Sequence, residues 1–338
     1  MMKIKNLKLK IVEKFKFFAP ISLAIILVGI ILMIIPGMNV GIDFAGGAKV
    51  DINFGAYLET HSEIKSGLVE KVNSTIEAEG FEIGSTRWSG DDGTTMEVGL
   101  KYSLNGKTIK DKAEQEEFIN NVKTLKEKLV TAVNEYNSAL DFTVDKISDT
   151  AVSGETSQKI LVNAIIATIV AVVIMLIYIG FRFTLASGLA AVIALTHDVL
   201  IMIALTTIFQ VQVNTTFIAA IITIVGYSIN ATIVIFDRVR EVSKLESSKE
   251  LSDVEIANKS IVDTLGRSIL TTVTTLIVIV VLAIVCAVMG VSTMGEFALP
   301  IIFGLIAGTY SSVFLSASMW VYLRRLGAKI KNRAKKKA

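Results

Sequence analysis

Six stretches of the chain are continuously apolar over lengths close to the ~20 residues a helix needs to cross a bilayer. They occupy residues 18–35, 160–181, 183–208, 214–236, 268–289 and 297–322. In lipid every backbone polar group must be satisfied within a helix or a closed barrel, and unbroken apolar runs fit helices, whereas barrel strands alternate. The pattern therefore predicts six membrane helices, the first stopped by Pro36-Gly37 and the second and third joined by a minimal turn at Arg182.

Residues 37–157 carry a different pattern. Strands are expected at 48–54, 81–88, 94–102 and 141–147, with helices at 60–79 and 109–138 and a turn at 89–93. Phe118, Ile119, Val122, Leu125, Leu129 and Val133 recur near helical spacing in the second helix. The order β-α-β-β-α-β is the ferredoxin-like arrangement. The predicted fold class is thus an α-helical integral membrane protein with six transmembrane helices and one external ferredoxin-like α+β domain between helices one and two. Such a domain hosts many functions and indicates none by itself.

Charge adds an orientation. Residues 3–16, 237–267 and 324–337 hold six, six and eight Lys or Arg, and the connections at 210–213 and 290–296 hold none. By the positive-inside rule the three basic segments, and with them both termini, are cytoplasmic. The expected organisation is a basic N-terminus (1–17), span one (18–36), an extracytoplasmic domain (37–157), spans two to six (158–323) and a basic tail (324–338). The first span has no small-residue cleavage pattern and reads as uncleaved. Within 237–267, Leu251, Val254, Ala257, Ile261 and Leu265 suggest an amphipathic helix along the cytoplasmic interface or against a partner. The domain at 37–157 has 21 acidic against 12 basic residues, which the near-neutral total of +3 conceals. That acidic face reads as a solvated surface.

Composition narrows the chemistry. With 52% hydrophobic and 19% charged residues the chain is not an ordinary soluble enzyme. One cysteine, Cys286, and two histidines, His61 and His197, offer neither a disulfide framework nor a metal-site spacing, so no metal or cofactor is expected. No nucleophile, base and acid constellation supports an enzyme, and no Walker-type loop supports nucleotide use. The basic tail reads as a topology determinant attracted to anionic lipid; nucleic acid is not an expected partner.

The most informative stretch is Gly226-Tyr227-Ser228-Ile229-Asn230-Ala231-Thr232, continuing to Asp237-Arg238. With Gly41-Ile42-Asp43-Phe44-Ala45-Gly46-Gly47, Leu195-Thr196-His197-Asp198-Val199, Thr264-Leu265-Gly266-Arg267-Ser268 and Gly308-Thr309-Tyr310-Ser311-Ser312, it resembles the SecF family over nearly the whole chain. The resemblance implies pairing with SecD in a unit similar to resistance-nodulation-division transporters. It further implies assistance to preprotein export through SecYEG after the SecA step, driven by the proton motive force in the bacterial cytoplasmic membrane.

Ionisable groups inside a membrane mark functional pathways by default. His197 and Asp198 fall near the middle of span three, and Arg267 is expected to start span five. Asp198, His197, Asn230 and Arg267 are the candidate proton-relay residues; a structural hydrogen-bonded pair and a snorkelling arginine are their bland readings. The resemblance is broken at Ala231, where the family carries an aspartate after the asparagine. Alanine cannot titrate and Asn230 stays neutral. The route then runs through a SecD carboxylate with Arg267 and Asp198, or coupling is absent, or the substitution was engineered to block it. Thr223, Tyr227 and Asn230 form a polar stripe read as interhelical packing. Gly304 and Gly308, with Gly188 and Gly226, read as close helix packing, and Asp43, Gly46 and Gly47 as a hinge or junction. Two rival readings remain: a non-coupled structural subunit that stabilises SecD, favoured by Ala231, and an independent exporter, disfavoured by length.

Overall fold

The computed structural model describes residues 10–35, 37–90, 93–109, 111–245, 250–289 and 292–337. Lys3, Lys5 and Lys8 of the basic N-terminus, the Pro36 stop, Asp91 and Asp92 of the expected turn, Lys249, and Gly290 of the last connection lie outside the described residues.

After α1 (Phe15–Ile34) the chain forms the short α2 (Ile42–Ala45), β1 (Gly47–Asn53), α3 (Ala56–Thr60), α4 (Lys65–Ala78), β2 (Phe81–Ser89), β3 (Thr95–Leu104), β4 (Lys107–Thr108), α5 (Lys112–Tyr136) and β5 (Ile147–Val152). The strands make one antiparallel sheet in the order β2-β3-β1-β5, with β4 beside β3. Val50, Ile52, Met96, Val98 and Leu100 from its inner face pack on Leu68, Val72 and Ile76 of α4 and on Phe118, Val122, Leu125 and Leu129 of α5. The residues predicted to line the second helix are therefore the ones it buries, apart from Ile119.

Two expectations for this α/β domain shift. The last strand starts at Ile147 rather than spanning 141–147, because Asp141 takes a left-handed conformation (φ 40°) and Val144–Lys146 forms a 3-10 turn. The helix expected over 60–79 is broken at His61 and Ser62–Ile64, and an unpredicted α3 precedes the break.

β1 and β3 place Asp51 directly opposite Glu97, with Lys49 2.9 Å from Glu97 and 3.4 Å from Asp51. One Asp51 oxygen is buried with no hydrogen-bond partner among the described residues. Burial first, and the facing Glu97 carboxylate after it, push the Asp51 carboxyl above its ordinary value, against the pull of Lys49. A raised folded pKa means that the native state binds this proton more tightly than the unfolded chain. The contribution is therefore fully present below the unfolded value of 3.8 and lost as pH rises through the folded one. Asp51→Asn is expected to stabilise the domain at neutral pH and to flatten that decline. Urea unfolding followed through Trp88, in a Trp320→Phe background, checks it; a wild-type pH profile in the variant would refute the assignment.

The remaining helices are α6 (Gly154–Arg182), α7 (Leu185–Ile208), α8 (Thr215–Lys244), α9 (Asp253–Val288), α10 (Ser292–Tyr310) and α11 (Ala317–Lys337), the last two joined by a π-helical turn at Ser311–Ser316. Among the described residues, six helical stretches are long and apolar enough to cross a membrane, α10 and α11 together making the sixth. α7, α8 and α10 form the buried centre, whereas α1, α6 and α9 present mostly exposed apolar side chains.

The segment 237–267 is not a separate interfacial helix. Its first part continues α8, and its second is the opening of α9, started by a capping box of Ser252 and Glu255. Nothing between Asp253 and Gly266 breaks a helix, so the apolar run simply extends it. The buried face, Ile256, Ala257, Ser260 and Ile261, packs within the protein, and Asn258 accepts from the backbone N–H groups of Ile11 and Val12 at 3.0 Å. Arg267 consequently lies about four turns into α9 and does not start it.

The glycines predicted to permit close packing divide. A Cβ on Gly304 would come within 2.5 Å of Ile224, and one on Gly308 within 3.4 Å of Ser228 and 3.6 Å of Asp198. Gly188 meets Ile179 at 3.4 Å, whereas Gly226 has nothing within 4 Å among the described residues.

Candidate functional site

Asp198 is fully buried midway along α7, between α8 and the sixth span. One carboxyl oxygen lies 2.9 Å from Nδ1 of His197. The other accepts from the hydroxyl of Ser228 on α8 and, at 2.8 Å, from that of Ser311 at the head of the π turn. Two hydroxyl donors and the His197 ring nitrogen thus converge on one buried carboxyl group, which meets the requirement that a polar group away from water be hydrogen-bonded. Gly308 allows this approach, since a side chain there would press on Ser228 and on the carboxylate. π-helical turns inside α-helices recur at functional sites, and this one begins at a ligand of the carboxylate. His197 leaves its Nε2 buried without a partner among the described residues, and its ring lies 6.2 Å from that of Tyr310, nearly parallel. The Tyr310 hydroxyl donates to the Phe18 carbonyl at 2.6 Å, tying the sixth span to α1.

The other relay candidates lie elsewhere. Tyr227, Asn230, Ala231, Arg267, Thr271 and Thr272 line a cavity of about 100 Å³ between α8 and α9. Position 231 and Arg267 therefore line the same cavity. Thr223, Asn230, Arg267 and Thr271 are exposed on this flank and Tyr227 is half-buried, so the stripe read as interhelical packing is covered only in part by the described residues of this chain. The structure brings Asn230 and Arg267 together and brings His197 and Asp198 together, but keeps the two pairs on different faces of α8. Thr232 is buried, and the charged end of the same stretch fastens helices. Asp237 holds Arg182 at 2.9 Å, and Arg238 reaches Asp263 through Nε at 2.9 Å and Nη2 at 2.6 Å.

The junction with the α/β domain is more extensive than a hinge. Val213 exchanges backbone hydrogen bonds with Asn39 and Gly41, and Asp43 accepts from the backbone and hydroxyl of Thr215 at 3.1 and 2.7 Å, capping α8. Gly46 (φ 77°) and Gly47 (φ 149°) then turn the chain into β1. A second contact was not legible in the sequence. Arg87 on β2 donates to Glu296 of α10 at 2.7 Å and to Gln212 at 3.1 Å, and pairs with Glu97. Asn214 also donates to Glu296, at 2.6 Å, and Gln212 to Ser85 at 3.3 Å. Burial works against the Arg87 charge, but Glu296 and Glu97 outweigh it and raise the guanidinium further above its ordinary value. The available signal was Glu296 itself, the only charge in a connection otherwise without one.

Residues 132–326 match the family model described as protein export membrane protein SecD/SecF, C-terminal. The chain is 31% identical over 309 residues to the protein translocase subunit SecF of Petrotoga mobilis, covering 90% of this chain and 93% of that one. It is 33% identical to the protein translocase subunit SecDF of Bacillus subtilis, covering 91% of this chain and 37% of that longer one. Among solved structures, the translocon-associated membrane protein SecDF of Thermus thermophilus superposes with a TM-score of 0.71 at 26% identity, over 96% of this chain and 40% of that one.

Proposed function

The chain belongs to the SecD/SecF protein-export membrane protein family, and from that premise we propose that it works as the SecF-type subunit beside a SecD partner, assisting preprotein export. The observation that carries the pairing is the outward polar flank of α8 and α9. Thr223, Asn230, Arg267 and Thr271 are exposed on two helices apolar enough to cross a membrane, and a charge facing lipid costs a few kcal/mol. A partner with polar and acidic groups at that level removes the cost. The SecDF relatives, of which this chain spans 37% and 40%, supply the expected partner as the remainder of one polypeptide.

On this reading the complex lies in the bacterial cytoplasmic membrane with both termini inside. Its α/β domain, ferredoxin-like in strand order, lies outside and handles preproteins that leave SecYEG after the SecA-driven step. Gradient energy enters as protons. The carboxylate comes from SecD, Arg267 stabilises its charged form, and Asp198 with His197 provides a second polar centre. Ala231 favours one alternative, a subunit that stabilises SecD and the channel without coupling.

Export in SecF-depleted cells carrying cognate SecD separates the two. The chain as it stands is expected to restore export that collapses with the proton gradient, and Ala231→Asp to change it little. Restoration by the aspartate variant alone would sink the coupled reading of this chain. Export that ignores the gradient with either chain supports the structural subunit.

A further inference from the structure

At the end of the bundle opposite the α/β domain, the α6–α7 turn, α8 and α11 enclose a cavity of about 710 Å³. Four cations line it: Arg182, Arg240, Lys244 and Arg324. Two are already neutralised, Arg182 by Asp237 at 2.9 Å and Arg324 by Asp253 at 2.7 Å. Arg240 and Lys244, one turn apart on α8, are exposed and have no acidic partner among the described residues. Thr184, the N-cap of the 24-residue α7, lines the same cavity with Leu185 and Ala186. The opening N–H groups of a helix have no acceptor within it and favour an anion. The floor is aromatic: Trp320 is buried there with the Arg324 guanidinium 5.2 Å above its ring. Beside the opening, Phe181 and Leu185 are 90% and 82% exposed, a surface suited to acyl chains and not to a soluble ion.

From this geometry we infer that the cavity is a binding site for the phosphate headgroup of an anionic phospholipid. Arg240, Lys244 and the α7 N-terminus take the phosphate, and the acyl chains run along Phe181 and Leu185. The placement fits the proposed orientation, in which this end faces the cytoplasmic leaflet, and the site rests on that reading only for which leaflet supplies the lipid. A basic pocket between membrane helices at headgroup level selects anionic over zwitterionic lipid through charge. The occupant adds no covalent chemistry. It would fasten the α6–α7 turn to α8 and α11, of which the ion pair Arg182–Asp237 already joins the first two.

Trp320 makes the test direct, because the chain has two tryptophans and the other, Trp88, lies in the α/β domain. The complex of this chain, as Trp88→Phe, with its SecD is reconstituted in phosphatidylcholine vesicles with increasing brominated phosphatidylglycerol or brominated phosphatidylcholine. Trp320 quenching is then followed. Two cations without an acidic partner among the described residues predict about thirtyfold preference for the anionic lipid, roughly 2 kcal/mol at 1.4 kcal/mol per tenfold. Arg240→Gln with Lys244→Gln should return it to parity while Trp320 emission in unbrominated vesicles and co-purification with SecD stay unchanged. Parity before mutation, or preference surviving the double variant, overturns the proposal. Inorganic phosphate that relieves the quenching at constant ionic strength would reassign the site to a soluble phosphate and overturn the lipid. Failure of both lipids to quench would mean that SecD covers the cavity, which overturns it as well. A gradient-independent complex that still shows the preference leaves the lipid site standing and refutes only the coupled reading.

Discussion

Arg87→Met is expected to release the α/β domain from its seat on the membrane bundle. The guanidinium bridges Glu97 of its own domain and Glu296 of α10, and both carboxylates are largely shielded, with side-chain exposures of 8% and 14%. Lys49 remains for Glu97 at 2.9 Å, but Glu296 keeps only the neutral Asn214. Removing one member of a buried pair strands the other, at about 3–5 kcal/mol, which shifts the docked population by roughly two to nearly four orders of magnitude. Methionine occupies a similar volume, so lost packing contributes little. The readout is disulfide formation between Ser85→Cys and Gln212→Cys, whose wild-type side chains meet at 3.3 Å, with Cys286 replaced by serine. Crosslinking should fall steeply in Arg87→Met and recover in part when Glu296→Gln removes the stranded charge. An undiminished crosslink would show that backbone pairing of residues 39–41 with Val213 holds the domain without Arg87.

Gly47→Ala is expected to disrupt the sheet at its first residue. Gly47 opens β1 opposite Lys101 of β3 and Val152 of β5. A Cβ there would lie 2.0 Å from the Leu100 carbonyl oxygen, and φ is 149°, where side chains are rarely accommodated. The obstacle is backbone in the central strand pair, so relief requires separating β1 from β3 and breaking ladder hydrogen bonds. A loss above about 4 kcal/mol is expected, the size that marks a specific structural clash. Gly106→Ala provides the control: its φ of 75° is also positive, but nothing lies within 4 Å, and the cost should stay near 1–2 kcal/mol. Hydrogen exchange of the β1 and β3 amides in the full chain distinguishes them. Equal protection in the two variants would remove the steric argument.

These two positions differ in how visible they were. Gly47 stood out because a glycine pair after Asp43-Phe44 marks a chain leaving one element for another, although the docking of Asp43 on α8 did not. Arg87 looked like one charge among many on a strand, since nothing local links it to a glutamate 209 positions away. The same division runs through the relay candidates. Asp198 was singled out because a carboxylate inside an apolar run is anomalous, yet its serine partners are 30 and 113 residues distant. Arg267 was misplaced at a helix start because the apolar run of span five begins there; the helix itself begins at the Ser252 cap fifteen residues earlier.

Hydropathy alone marked six stretches long and apolar enough to cross a membrane, with one α/β domain after the first, because the bilayer and the sheet each impose a period readable over a short window. Helix identity in the sheet's cover and the signature at 226–238 were local in the same sense. Tertiary structure decided the rest. It set which polar groups converge on Asp198 and left Asn230 and Arg267 exposed on the flank of α8 and α9. It also introduced the π turn and gathered four cations around one cavity. Those outcomes depend on how helices rotate and stack against one another, and that is governed by packing between residues far apart in the chain, where no short-range pattern records the partner.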